Sequence, residues 1–200
     1  GSEMCIRDRL KRYEKFLEKL DKRLERYFEE QCEFIKCKPG CSACCEIGQF
    51  PFSRLELEYL MSGFVELPFG VKHNIKEEIK RLKRERPKWH KCPFLINNMC
   101  CVYKYRGIVC RTHGLAWYDE DENRIRLPYC VNKGLNYSKV FDRETGEVLL
   151  QNPIKERLRI DSILRSPEAE RFELECGEIR PLIGWFSVSY THLTLPTIRL

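Results

Sequence analysis

The sequence predicts a mainly α, irregular α+β fold, in which a long N-terminal amphipathic helix leads into a cysteine-rich core edged by small β-hairpins. Three observations predict it. Apolar side chains recur every three or four residues from Leu10 to about Ile35, four cysteines crowd into residues 37–45, and beyond Trp89 the chain breaks into short apolar pieces between turn residues.

In the first segment Leu10, Tyr13, Leu17, Leu20, Leu24 and Tyr27 share one face, with Phe34 continuing the register and Lys, Arg and Glu between them. That spacing gives an amphipathic helix of about seven turns. Phe16 and Phe28 widen the apolar stripe, which favours packing on the domain. The alternative is a coiled-coil or partner-binding helix, although the pattern runs for fewer than four heptads.

Ser53-Arg-Leu-Glu56 is a capping box: the Ser hydroxyl and the Glu carboxylate can satisfy free N–H groups at a helix start. The helix it opens is expected to run to Met61 or Ser62 and stop at Gly63. A further helix covers Val71 to Arg86, with Ile75, Ile79 and Leu82 inward and Pro87 beyond its end. Its other face carries Lys72, Lys76, Lys80, Arg81, Lys83, Arg84 and Arg86, interrupted by Glu77, Glu78 and Glu85. With no aromatic residues interleaved for base stacking, that face reads as solvated, and nucleic-acid binding stays a minor option.

Three hairpins follow: Pro93–Ile96 with Val102-Tyr103 around Asn97-Asn98, Ala116–Tyr118 with Ile125–Leu127, and Val140-Phe141 with Val148–Leu150 around Thr145-Gly146. A helix is expected near Pro153 to Leu164. Another is opened by Ser166-Pro167-Glu168 and ended by Gly177. Pro181–Phe186 is apolar enough to dock on the core.

The length suits one domain over residues 10–186: the helix 10–35, the cluster region 37–130, and a hairpin and helices over 131–186. Residues 1–9 and 187–200 read as translated adaptor sequence and are set aside from the fold. With 42% hydrophobic and 33% charged residues, the chain can build a core and remain soluble. No apolar run nears the roughly 18–20 residues of a membrane helix, and the charged start has no signal-peptide core. Those features predict a cytoplasmic protein without a membrane partner.

The cysteines carry the chemistry. Cys37-Lys-Pro-Gly-Cys41-Ser-Ala-Cys44-Cys45 turns several sulfurs toward one place through a short loop, with Gly40 freeing the backbone. A second, more dispersed group follows in Cys92, Cys100-Cys101, Cys110 and Cys130. Thiolates this dense on turn-forming sequence suit a soft metal, and metal binding favours the deprotonated sulfur they must supply. The rival is a disulfide framework, opposed by the adjacent pairs Cys44-Cys45 and Cys100-Cys101, which bond each other only with strain. Cys101, Cys32 and Cys176 read as spare or inert thiols. Eight thiolates allow two sites of four sulfurs, or one site with accessory cysteines.

The loop Cys37–Cys45, with Cys92-Pro-Phe-Leu, Cys100-Cys-Val-Tyr, Arg106 and Cys110-Arg111, resembles the cysteine-cluster proteins named for the pattern C-x-x-C-x-x-C-C, which are zinc- or iron-chelating domains. The likeness spans about Cys37 to Cys130. It implies Cys37, Cys41, Cys44, Cys45, Cys92, Cys100, Cys110 and Cys130 as ligands. Two departures stand out: the first gap is three residues long, and Gly107 stands where the family usually has proline. A distant similarity to flagellin lysine methylase implies an iron–sulfur cluster coupled to methyl transfer.

Zinc held by four thiolates would make a closed structural module, whereas iron would open redox or Lewis-acid chemistry. Arg106, Arg111 and His113 surround Cys110 and are the candidates for cofactor binding. The plainer reading has the arginines paired with local acids, His113 as a hydrogen-bonded structural residue and Tyr103 in the core. No Gly-rich phosphate loop, dinucleotide fingerprint or persuasive Ser-His-Asp series is present. Three functions follow: an iron- or zinc-binding cysteine-cluster protein that supports redox or methyl transfer, a structural zinc module with a protein partner, and a zinc protein that binds nucleic acid.

Overall fold

In the computed structural model, which describes residues 3–38 and 40–186, helices carry the architecture and the strands come only in short antiparallel pairs. About 49% of it is helical, in keeping with an α+β class. Pro39 and the segment 187–200 lie outside the described residues.

Helix α1 (Glu3–Glu30) buries Tyr13, Phe16, Leu17, Leu20 and Leu24 against helix α2 (Arg54–Val65), helix α4 (Ile108–Thr112) and helix α5 (Ile160–Leu164). Its apolar stripe is therefore used within the chain. The α-helix ends at Glu30, short of Ile35, because Cys32–Phe34 tighten into a 3-10 turn. Tyr137 holds that turn: its backbone N–H donates to Phe34 O at 2.9 Å and its ring stacks on Phe34 at 5.8 Å.

Strand β1 (Pro51–Ser53) precedes α2 and pairs antiparallel with strand β6 (Ile179–Pro181), with Phe52 opposite Arg180. This pairing closes the domain and had no sequence signal, since both strands are three residues long and each contains a proline. The predicted capping box is present. Ser53 Oγ accepts from Glu56 N at 3.2 Å and Glu56 Oε2 accepts from Ser53 N at 2.8 Å.

Helix α2 does not stop at Gly63. It continues to Val65 because Gly63 marks a close approach, where an added Cβ would sit 2.2 Å from Tyr105 Cδ2. Helix α3 (Phe69–Glu85) buries Ile75, Ile79 and Leu82 as the spacing requires. Ile75 and Ile79 pack in a second core with Leu57, Phe64, Phe94, Val102, Leu182 and Phe186, so the 181–186 segment docks as expected.

The hairpin of β2 (Leu95–Ile96) and β3 (Met99–Cys100) turns at Asn97 and Asn98, both at positive φ. The second strand falls earlier than Val102-Tyr103 because a two-residue turn forces immediate pairing. β4 (Trp117–Asp119) pairs with β5 (Arg124–Arg126) as predicted, while Phe141 and Val148 form only an isolated bridge. Residues 153–159 are not helical: Ile154 bridges Trp117 and its carbonyl accepts from Tyr118 N, leaving α5 to begin at Ile160. Helix α6 (Pro167–Arg171) is capped by Ser166 but ends before Phe172, so Gly177 at φ 69° serves a later turn. Among the described residues no helix is long and apolar enough to cross a membrane.

The Gly63 contact is directly testable. Gly63→Ala should destabilise the fold by about 1–3 kcal/mol in denaturant unfolding, because the methyl group overpacks against Tyr105. Combining it with Tyr105→Ala should recover part of that loss; strict additivity of the two changes would refute the contact.

Candidate metal centre

Four chain segments carry the cysteines. A 3-10 turn over Ala43–Ile47 sets Cys44 and Cys45 side by side, with their sulfurs 3.9 Å apart. Cys92 N donates to Cys45 O at 2.7 Å, which docks the second segment on the first. The β2–β3 hairpin then returns Cys100 opposite Leu95, whose own N–H donates to Cys92 O. Cys110 arrives on α4. The fourth segment is a 3-10 turn over Tyr129–Lys133, which carries buried Cys130 and ion-pairs to the cysteine loop through Lys133 and Glu46.

Two residues outside the predicted set position these sulfurs. Asn136 is completely buried and uses its whole side chain: Oδ1 accepts from Lys36 N at 2.8 Å, while Nδ2 donates to Gly114 O at 2.8 Å and to Cys37 Sγ at 3.2 Å. Its backbone N–H also favours the thiolate of Cys130. Glu56 is buried too, and its Oε1 accepts from Ile108 N at 2.8 Å, fixing the first turn of the helix that carries Cys110. Glu56 was legible as a cap but not as a tie to residue 108, and Asn136 had no signal beyond a polar residue between Leu135 and Tyr137.

Gly107 has a steric reason. A Cβ there would lie 2.7 Å from Phe52 Cε1 and 3.1 Å from Glu56 Oε1, so a proline ring would collide with the Phe52 side chain. The glycine therefore permits a tight approach between β1 and α4.

The thiols feel one another. Burial, then the neighbouring Cys92, Cys100 and Cys44, hold the Cys110 thiol well above its ordinary pKa. Burial pushes Cys92 up to about 12, and Cys100 also rises. Cys130 is raised to about 11 by burial, with Cys37, Cys41 and Cys44 adding to it. Cys37 is exposed over the whole residue, but its sulfur lies against Asn136, and burial raises it as well. The adjacent pair splits: Cys44 is lowered to about 7 by the hydrogen bond from Cys45, helped by backbone N–H groups and Arg106, while Cys45 is raised.

Each of the eight predicted sulfurs is thus within electrostatic reach of another. The Cys44 charge disfavours ionisation of Cys37 and Cys130, and equally of Cys45, Cys92, Cys100 and Cys110. Among the described residues no three His, Cys, Asp or Glu side chains stand as a finished ligand group, so the thiols are neighbours and not a closed shell. All described cysteines are free. The donor set fits a soft cation: sulfur throughout, N–H groups aimed at it, and one cation beside it.

That cation is Arg106. It pairs with no described carboxylate, and its guanidinium lies 3.9 Å over the Tyr103 ring, which is exposed and not in the core. Its charge favours the thiolate of Cys44 and of Cys100. Arg111 is placed differently. Buried, it ion-pairs with Asp21 and donates to the carbonyls of Arg106 and Lys104, so its guanidinium anchors α1 to α4. His113 packs 5.7 Å from the Phe50 ring, and its Nε2 is buried with no partner, unlike the hydrogen-bonded histidine expected. Burial lowers its pKa to about 4, so it is neutral at pH 7. It lines a cavity of about 540 Å³ with Thr112, Trp117, Tyr129 and Leu158, between the residues flanking Cys110 and Cys130.

Cys101 donates to Phe94 O at 3.1 Å, and Cys176 is half-buried at the core edge, both consistent with spare thiols. Cys32 is exposed. Compared with protein-family models, curated proteins and solved structures, the chain finds no match in any.

The thiol asymmetry gives a measurable order of reaction. In metal-free, reduced protein, iodoacetamide should modify Cys44 with a pH midpoint near 7, well before Cys92, as read by peptide mass spectrometry. Equal rates at both positions at pH 7.5 would contradict the arrangement.

Proposed function

We propose that this chain is a cysteine-cluster metal-binding domain, holding iron as an iron–sulfur cluster, or zinc, through the thiolates of Cys37, Cys41, Cys44, Cys45, Cys92, Cys100, Cys110 and Cys130. The observation that supports the reading is that thiols from four distant segments, Cys44 among them, influence one another's ionisation. Its sequence resemblance to the C-x-x-C-x-x-C-C proteins points the same way.

The physical case rests on protons. Several of these thiols are held protonated by burial and by one another, so ionising them together without a cation is unfavourable. A soft metal removes that penalty and releases the protons as it binds. Asn136 orients the Cys37 and Cys130 sulfurs, and Arg106 offsets negative charge at Cys44 and Cys100. Iron would supply redox or methyl-transfer chemistry, with the His113 cavity as the place beside it for a substrate. Zinc would supply a folding staple, and the chain would then serve as a structural module for a protein partner. Free thiols in this number suit a reducing, cytoplasmic setting.

Anaerobic purification, a visible spectrum and metal and sulfide counts separate the two metals. Broad brown absorption with iron and sulfide supports the cluster, and colourless protein with zinc supports the module. Cys41→Ser and Cys44→Ser should lose metal, whereas Cys176→Ser should retain it; equal loss in all three would refute the ligand assignment. Asn136→Ala should weaken metal retention against a chelator by about 10- to 100-fold. Unchanged retention would remove Asn136 from the site.

A further inference from the structure

At the C-terminal end of α3, beside buried Leu82, lies a cleft of about 250 Å³ lined by Lys83, Arg86, Pro87, His90, Ile183 and Gly184. The acids of α3 are already engaged. Glu77 pairs with Lys80, both oxygens of Glu78 bind Arg81, and Glu85 bridges Arg81 and Arg84. Lys83 and Arg86, three residues apart, form no ion pair and no side-chain hydrogen bond with any described residue.

Two like charges therefore share a partly enclosed space, and among the described residues no acid lines it. Burial, and then the Arg86 charge, lower the pKa of Lys83. The negative end of the helix dipole supplies only about half a charge against two. Arg86 also occupies a left-handed backbone position, φ 47° and ψ 49°, where glycine or asparagine normally ends a helix. The other wall is firm: Gln49 Nε2 donates to Lys88 O at 2.8 Å and to Pro87 O at 3.3 Å, and His90 Nδ1 lies 2.8 Å from Lys91 O.

We propose that this cleft binds a phosphate-sized oxyanion, held by the Lys83 ammonium and the Arg86 guanidinium and enclosed by Pro87, Ile183 and Gly184. Charge-assisted hydrogen bonds from a lysine and a forked guanidinium are the usual means of holding such a group. Its volume suits one phosphate with a few attached atoms and is below the roughly 300 Å³ at which sites for larger ligands begin. The site is independent of the metal reading.

The test is calorimetric titration of the full chain with inorganic phosphate and, separately, with glycerol 3-phosphate, at constant ionic strength set by chloride. One saturable site per chain is expected, with binding at least tenfold weaker in Lys83→Gln/Arg86→Gln. Gly184→Leu should also weaken binding while keeping both cations; a Cβ there meets nothing closer than 3.9 Å, so the fold can accept it. Tighter glycerol 3-phosphate would assign a monoester, and equal affinities would assign the inorganic ion. Non-saturable heats, equal affinity in the double variant, or binding to a single-stranded oligonucleotide without binding to phosphate would overturn the proposal.

Discussion

The carboxylate of Glu56 is the constraint on which the rest of this structure depends. It is buried, and it accepts backbone N–H groups from two places far apart in sequence: Ser53 at the start of α2 and Ile108 at the start of α4. An unpaired buried carboxylate is far costlier than a paired one, so these two bonds fix the distance between the two helix starts. Gly107 allows the approach, because any side chain there would meet Phe52 and Glu56 itself. Cys110 sits three residues into the helix so held, and Arg111 beside it secures α1 through Asp21. One acid thus links the long helix, the β1–α2 corner and one edge of the cysteine group.

The cysteines extend that order outward by backbone bonds, while Cys92, Cys100 and Cys110 also pack against the second apolar core. Cys92 is held to the Cys45 carbonyl, Cys100 by a tight hairpin, and Cys130 by a turn that Lys133 ties to Glu46. What results is a set of sulfurs that oppose one another's ionisation, with Cys44 as the exception. The proposed cation would resolve that opposition, and the proposal rests on this electrostatic balance more than on the number of cysteines. The 250 Å³ cleft beyond α3 poses the opposite problem, cations without an acid among the described residues, and the proposed oxyanion would answer it by the same logic.

How much of this could be read from residue order depends on the range of the interaction. Local signals were legible: the α1 stripe, the Ser53–Glu56 box, the inward face of α3 and the Asn97-Asn98 turn all depend on neighbours within about one helical turn. Gly63 misled because a glycine that ends a helix and one that admits an aromatic ring look alike in sequence. The 153–159 segment misled because a bridge to Trp117 outweighed its helical composition. The β1–β6 pair and the Asn136 network join residues about a hundred positions apart, and no local pattern encodes them. For the site, the sequence offered the sulfurs as candidates but gave no sign of the Asn136 and Glu56 contacts around them. It also grouped Arg106 and Arg111, whose surroundings differ completely: one stacks on exposed Tyr103 beside thiols, and the other is consumed by Asp21 and two carbonyls.

The central claim is that sulfur alone, drawn from separated stretches of chain, surrounds a bound ion. X-ray absorption at the metal edge of anaerobically purified protein reads that environment directly. The account predicts a first shell made only of sulfur, at about 2.3 Å for zinc. A first shell containing nitrogen or oxygen, or protein that retains no stoichiometric metal, would contradict it.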